Sequence, residues 1–369
     1  MTFQPENVEL TNLISVRDLA RKLLSSNIEK IDVFICNAGI GGWSGLNWFK
    51  TIWDVLVDIR NNTVWPAFKL GTVGAVTEPQ LAERTTEKSD PPLGEIFCAN
   101  LFGHYMLAHW LMPLLRAART EDASKIIWVS SIEPQSYHFN ETDLQGLETD
   151  APYEHSKRLT DILALTSNQP AASTAMACFT STESSLSRAS PKRLERESYL
   201  PPVVHVYHPG IVVTSVISLY WIVHQGYLLG IYLARWAGSP WSTVEPYSAA
   251  HGATWLALAT ASDIEQAARE AHGPKGTAVA KAGKVKWGTA CDRLGRTTVR
   301  PTEVDKWGIS GSGASYGQDW WNGASGVGRK PAAVDARSGD VEAFIAQGGK
   351  VWEQIEKLRQ EWEQRLEGE

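Results

Sequence analysis

At 369 residues with 43% apolar side chains, the chain is long enough to bury one large core or two smaller ones. Its formal net charge of −6 argues against a nucleic-acid partner. The four cysteines (Cys36, Cys98, Cys178, Cys291) show neither C-x-x-C spacing nor a disulfide framework, which suits a reducing compartment.

The opening residues MTFQPENVEL contain no apolar h-region, so no signal peptide is expected. Residues 8–10 read as the end of a strand, and 15–25 as a helix with Val16, Leu19, Leu23 and Leu24 as its apolar positions. Residues 31–36 form a second strand that breaks at Asn37-Ala38-Gly39. Residues 43–68 mix Trp and aliphatic residues with Asp and Asn, and read as a helix and loop. The polar stretch 72–95, with Pro91-Pro92, reads as a surface insertion. Residues 99–118 carry Phe102, Met106, Trp110, Leu111 and Leu114 at helical spacing. Asn100, near the start of that helix, suits an N-terminal cap. His104 and His109 lack metal-ligand spacing around them and are expected to pack or to face solvent.

The most informative stretch is 125–165. Ile126-Ile127-Trp128-Val129 reads as a buried strand ending in Ser130-Ser131, and after a polar loop Tyr153-Glu154-His155-Ser156-Lys157 opens a helix. Tyr153 and Lys157 are one helical turn apart and share a face. A phenol titrates at about 10. A neighbouring ammonium favours its ionised form, which would make it an acid–base group for carbonyl chemistry. The spacing alone fits a solvent-facing helix equally well.

Residues 167–202 are rich in Ser, Thr and charge and are expected to be a mobile insertion. Residues 203–208 return as a buried strand that meets Pro209-Gly210. From 211 to 234 the chain has no charged residue, but His224-Gln225-Gly226 interrupts its centre. Three readings stand: a spanning helix, a buried lid, or a lid that docks on a membrane surface through Tyr220, Trp221, Tyr227, Tyr232, Trp236 and Trp241. Either lid implies a large apolar substrate. Residues 248–261 read as a helix and 273–339 as a Gly-rich loop. Within that loop GISGSGASYGQ lacks the Gly-Lys-Ser/Thr of a phosphate loop. Residues 341–366 form an amphipathic helix, with Val351, Trp352, Ile355, Leu358, Trp362 and Leu366 on one stripe, expected to pack on the parent domain.

Asn37-Ala38-Gly39, Asn100, Ser131, Tyr153 with Lys157, and Pro209-Gly210 followed by Thr214 together resemble the short-chain dehydrogenase/reductase superfamily. YEHSKRLTDILALT from Tyr153, ARWAGSPW from Ala234, KWG at Lys286 and the Trp-rich tail resemble its fungal 3-keto-steroid reductase family of ergosterol biosynthesis. The likeness runs along nearly the whole chain. It departs at the start, where no Gly-x-x-x-Gly-x-Gly phosphate loop precedes the Asn-Ala-Gly strand. The strand–helix–strand–helix that would carry that loop needs about 50–60 residues, judged from the βαβ unit.

The resemblance implies an α/β, Rossmann-like doubly wound parallel sheet, N-terminally truncated, with a hydrophobic lid and a C-terminal helical extension. Residues 1–262 would be the reductase domain, with its N-terminal βαβ missing, the insertion at 167–202 and the lid at 211–241. Residues 263–369 would add the Gly-rich loop and a helix on the same domain. The implied activity is NADPH-dependent reduction of a 3-keto sterol to the 3β-hydroxysterol during C-4 demethylation. Ser131 would orient the ketone, Tyr153 donate the proton, Lys157 lower the tyrosine pKa and hold the ribose, and Asn100 support a water relay. Asn37, Ala38, Gly39, Tyr153, Lys157, Pro209, Gly210 and Thr214 would bind cofactor, and no metal is expected. The expected location is the cytosolic face of the endoplasmic reticulum membrane, peripherally bound, with lipid droplets second. The expected partners are that membrane surface and other sterol-synthesis enzymes. Two alternatives stand beside this reading: an impaired homologue that scaffolds the sterol-synthesis complex, and a reductase of a related triterpenoid ketone. Superfamily members often dimerise through the helices bearing Asn100 and Tyr153.

Overall fold

The computed structural model describes residues 2–81, 90–116, 123–183, 186, 200–213, 221–271, 283–309 and 328–367. Its strands among the described residues are β1 (Val33–Cys36), β2 (Trp43–Leu46), β3 (Lys69–Gly71), β4 (Lys125–Val129), β5 (Val203–His208), β6 (Lys286–Cys291) and β7 (Thr297–Thr302). Five of them make one sheet in the order β1-β4-β5-β6-β7. Its first four strands run parallel, in registers that include Cys36 beside Trp128, Trp128 beside Val206, and Val206 beside Lys286. β7 closes the sheet antiparallel to β6. β4 is buried along its whole length, as its apolar run requires of a central parallel strand.

Alternate residues of β4 feed the two faces. Ile126 and Trp128 join the core beneath the helices Leu13–Ser25, Gly103–Trp110, Pro152–Thr166 and Ser338–Glu367. Ile127 and Val129 face Ala253, Leu256 and Ile264 of the helices His251–Leu258 and Ala261–Ala271. This is the doubly wound α/β arrangement expected.

Several local expectations are corrected. Residues 8–10 are not a strand; the segment turns into the first helix, where Asn12 Oδ1 accepts from Ser15 N at 3.0 Å and caps it. Residues 43–68 hold β2 as well as the helices Trp48–Val57 and Ile59–Asn62, and β2 pairs with β3. The stretch 72–95 is not wholly superficial. Buried Gln80 accepts from Leu13 N at 2.6 Å, and Leu93 is in the core. Residues 167–202 include the helix Ser173–Phe179, whose Phe179 is fully buried. Most important, 273–339 is no mere loop, because it supplies β6 and β7. The GISGSGASYGQ run lies almost entirely outside the described residues.

The C-terminal helix Ser338–Glu367 packs on the parent domain. Val351, Trp352, Ile355, Trp362 and Leu366 are buried, each worth about 1.5–3 kcal/mol when fully covered. Trp352 Nε1 donates to the Leu163 carbonyl at 3.0 Å, and Tyr105 Oη to Glu356 Oε2 at 2.7 Å. Arg359 pairs with Glu356 and Glu363 and donates from Nη1 to His109 Nε2 at 2.9 Å, while His109 Nδ1 donates to the Phe179 carbonyl. The helix thus lies against the helices Gly103–Trp110 and Pro152–Thr166.

Candidate active site

The site forms where β1, β4 and β5 end together. After β1 the chain turns through Asn37-Ala38-Gly39 and is pinned by Asn100. Asn100 Oδ1 accepts from Ile40 N at 2.7 Å, and Nδ2 donates to the Ile40 carbonyl and to Ser156 Oγ, both at 3.0 Å. Asn100 is not an N-cap. It sits within the π-helical turn Cys98–Phe102, an insertion of the kind that redirects a side chain at a functional site. One amide therefore ties the end of β1 to the Tyr153 helix. Gly39 must be glycine because a Cβ would overlap Asn100 Oδ1. His104 Nε2 holds the Ala38 carbonyl at 2.9 Å, and burial pushes its pKa down to about 4, so it stays neutral.

β4 ends in two serines with different surroundings. Ser130 Oγ donates to the Lys157 carbonyl at 3.3 Å and is buried beneath the helix. The Ser131 hydroxyl instead faces the Tyr153 phenol and favours its ionised form. Tyr153 is half-buried, its ring tilted against Trp43 with centroids 4.8 Å apart. Lys157 Nζ donates to the Val129 carbonyl at 2.8 Å and lies 5.6 Å from the centroid of the Tyr153 ring.

The expected depression of the tyrosine pKa is not what these surroundings produce. Burial pushes the Tyr153 phenol up, and the carboxylates of Glu133 and Glu154 push it further. Burial, with Lys286 adding, lowers Lys157 to about 8, against the opposing pull of Asp161. Tyr153 therefore carries its proton at neutral pH, the state that a proton donor needs.

After β5, Pro209-Gly210 is held by Thr243, whose Oγ1 donates to the Pro209 carbonyl at 2.9 Å. Gly210 adopts φ 78°, and a Cβ there would lie 2.5 Å from the Trp241 carbonyl oxygen, so the turn needs glycine. Thr214 and Tyr220 lie outside the described residues. Trp241 is fully buried against His208, and so is not available to a membrane surface. The helix Trp221–Trp236 covers the site through Tyr227, whose phenol burial and Glu133 push up. Among the described residues no helix is long and apolar enough to cross a membrane.

The structure adds charged residues that the sequence did not single out for a role in the site. Lys69 of β3 is buried between Glu133 and Glu154, 2.5 Å from Glu154 Oε1, with Nζ 4.3 Å from the Trp43 ring centroid. Lys286 of β6 donates to Asp161 Oδ2 and to the Ser131 carbonyl, both at 2.6 Å. The position of Asp161, one turn beyond Lys157 on the same helix face, was a usable signal. Nothing local marked Lys69, which comes from a distant hairpin.

A nicotinamide–ribose group fits these strand ends. Among the described residues the Lys157 ammonium makes one hydrogen bond, to Val129, so two of its three donors remain for a bound group. The Gly39 and Gly210 turns leave backbone close to the same edge. No residue of the chain before β1 forms a Gly-rich phosphate loop. No group of metal-ligating side chains occurs among the described residues.

A serine, a tyrosine and a lysine at the carboxyl edge of a parallel sheet, backed by an asparagine in a π turn, define a short-chain dehydrogenase/reductase. No family model matches the chain. Its sequence is 40% identical over 370 residues to 3-keto-steroid reductase erg27 of Aspergillus fumigatus, covering 100% of this chain and 78% of that one. It is 34% identical to 3-keto-steroid reductase ERG27 of Gibberella zeae, covering 97% and 70%, and 30% identical to the 3-keto-steroid reductase of Kluyveromyces lactis, covering 82% and 70%. The chain belongs to the 3-keto-steroid reductase family.

Proposed function

We propose that the chain is an NADPH-dependent reductase of a 3-keto sterol, forming the 3β-hydroxysterol in sterol C-4 demethylation. The observation that carries this reading is the assembly of Ser131, Tyr153, Lys157 and Asn100 at one strand edge, in a chain of this family. Asn37, Ala38, Gly39, Lys157, Pro209 and Gly210 would hold the nicotinamide ribose half of the cofactor. When bound, the nicotinamide supplies a hydride to the ketone carbon.

The chain's own residues do the rest. Ser131 and Tyr153 bracket the ketone oxygen, and Tyr153, kept protonated by burial, gives it a proton as negative charge develops there. The ammonium of Lys157 stabilises the phenolate left behind until a proton returns. Asn100 holds the turn after β1 and the Tyr153 helix in register. Retention of all four groups favours an enzyme over a scaffold.

Substrate access supports association with a lipid surface on the cytosolic side of the endoplasmic reticulum. The helix Trp48–Val57 joins β2 towards β3 beside Tyr153, and it turns Phe49, Ile52, Trp53 and Leu56 outwards. Trp221, Leu229 and Trp236 of the covering helix are also exposed. Flotation with phosphatidylcholine vesicles is expected to carry the wild-type chain, and less of a Trp53→Ser/Trp236→Ser variant. Equal flotation of the two would remove this part of the reading.

The reductase reading is tested by following NADPH consumption with 5α-cholestan-3-one in mild detergent, together with tryptophan quenching by NADPH and by NADH. Turnover that Tyr153→Phe abolishes is expected, with tighter binding of NADPH. Saturable cofactor binding without reduction of any sterol or triterpenoid ketone would overturn it.

A further inference from the structure

The Ser131 loop and the Tyr153 helix both lie in the connection between β4 and β5. Their inner sides are tied through Lys157, Ser130 and Lys286. The loop and the helix are each flanked by a carboxylate: Glu133 two residues beyond Ser131, and Glu154 next to Tyr153. Both carboxylates converge on one ammonium, that of Lys69, brought in by β3. The Lys69 side chain is 7% exposed, Glu154 8% and Glu133 13%. The same ammonium lies over the ring of Trp43 from β2, which in turn packs on Tyr153. Glu133 N donates to Ser131 Oγ at 3.3 Å, coupling that carboxylate's position to the serine hydroxyl.

We propose that Lys69 is a positioning residue for the Ser131–Tyr153 pair, an ionic clamp whose single cation sets how the two hydroxyls face each other. The proposal rests on the reductase reading and adds to it the hairpin β2–β3 as part of the working site. Buried carboxylates of like sign repel, and without a cation between them the two loops separate or one carboxylate takes up a proton. Two carboxyls around one base also give the clamp a titration of its own. Burial pushes Glu133 up to about 7, with Glu154 adding and Lys69 opposing. Burial alone would raise Glu154, but Lys69 outweighs it and holds that carboxyl below its usual range. The groups facing Glu133 are Lys69, Glu154, Tyr153 and Tyr227, and His138 faces Glu154. His138 is pushed down to about 4, chiefly by burial, and so adds no charge near pH 7.

The test uses Lys69→Met, Lys69→Arg, Ser131→Ala and the Lys69→Met/Ser131→Ala pair, assayed with NADPH and 5α-cholestan-3-one. Lys69→Met is expected to lower kcat at least tenfold with KM for the ketone changed less than threefold, and Lys69→Arg to recover most of the loss. Because Lys69 acts through the pair, adding Lys69→Met to Ser131→Ala should cost almost nothing more. Additive losses, or a wild-type kcat in Lys69→Met, would overturn the clamp. A turnover-free arm labels tyrosine Cζ with carbon-13 and assigns Tyr153 by Tyr153→Phe. Lys69→Met should shift that resonance in a chain whose fold is otherwise intact, and an unmoved resonance would overturn the clamp. Inactivity of the wild type would refute the reductase reading, and the resonance would still decide the clamp.

Discussion

Asp161 and Lys286 form an ion pair at the centre of the molecule, Oδ2 to Nζ 2.6 Å, with side chains 0% and 3% exposed. The pair stands behind the catalytic edge. Lys286 also holds the Ser131 carbonyl, and the Asp161 carboxylate supports the charge on Lys157 against burial. Removing one partner leaves the other charge buried and alone. Asp161→Asn is expected to cost about 3–5 kcal/mol in chemical denaturation. Asp161→Asn/Lys286→Met should recover much of that, and a double variant as unstable as the single one would show the pair is not the cause.

The two serines should separate cleanly by turnover. Ser131→Ala and Tyr153→Phe are each expected to lower ketone reduction by about 100- to 10,000-fold, the range for a positioned proton donor and its partner. Ser130→Ala removes a hydroxyl that bonds the Lys157 carbonyl inside the fold and should leave most of the rate. The reverse pattern would reassign the serine.

Glu133 makes stability depend on pH in a stated direction. Its carboxyl is raised to about 7 in the folded chain, chiefly by burial, so the folded state holds a proton that the unfolded state releases near 4.5. Stability from this group is full below the unfolded value and is lost as pH rises through about 7. Thermal melts of the wild type should fall between pH 5 and 8, and Glu133→Gln should flatten that slope. An equal slope in both proteins would place the proton elsewhere.

Gly39→Ala tests the turn after β1. Its methyl would displace the Asn100 amide from Ile40. Loss of two hydrogen bonds at about 1 kcal/mol each takes about 2 kcal/mol from the stability of the fold. Chemical denaturation reads this, and an unchanged stability would show that Asn100 yields without consequence.

Much of this site was legible because its chemistry is local. Ile126 to Val129, the Ser-Ser end, and Tyr153 with Lys157 each announce themselves within one element, and so does the apolar stripe of the last helix. β6 and β7 were hidden. KWGTAC and TTVRPT carry Gly, Thr, Arg and Pro, and their strand character comes from pairing with β5 and with each other. β2 and β3 are short strands that meet across more than twenty residues, a contact no window reveals. The protonation state of Tyr153 was likewise misjudged from spacing, since one nearby lysine counts for less than burial and two carboxylates supplied by the fold.

The last helix has a consequence for how the chain is made. Trp352, Ile355 and Trp362 line the inner side of the Tyr153 and Gly103–Trp110 helices, and Arg17 Nη1 of the first helix donates to the Leu366 carbonyl at 2.7 Å. On a ribosome, synthesis runs from Arg17 towards Leu366, so the first helix waits for its partner until the residue 349 positions later has emerged. Until then the sides of Tyr105, Trp110 and Leu163 that meet the last helix stay uncovered. Nascent chains that lack the last helix are accordingly expected to bind chaperones that shield apolar surface, and loss of even the final two turns would leave a catalytic edge on an unfinished core.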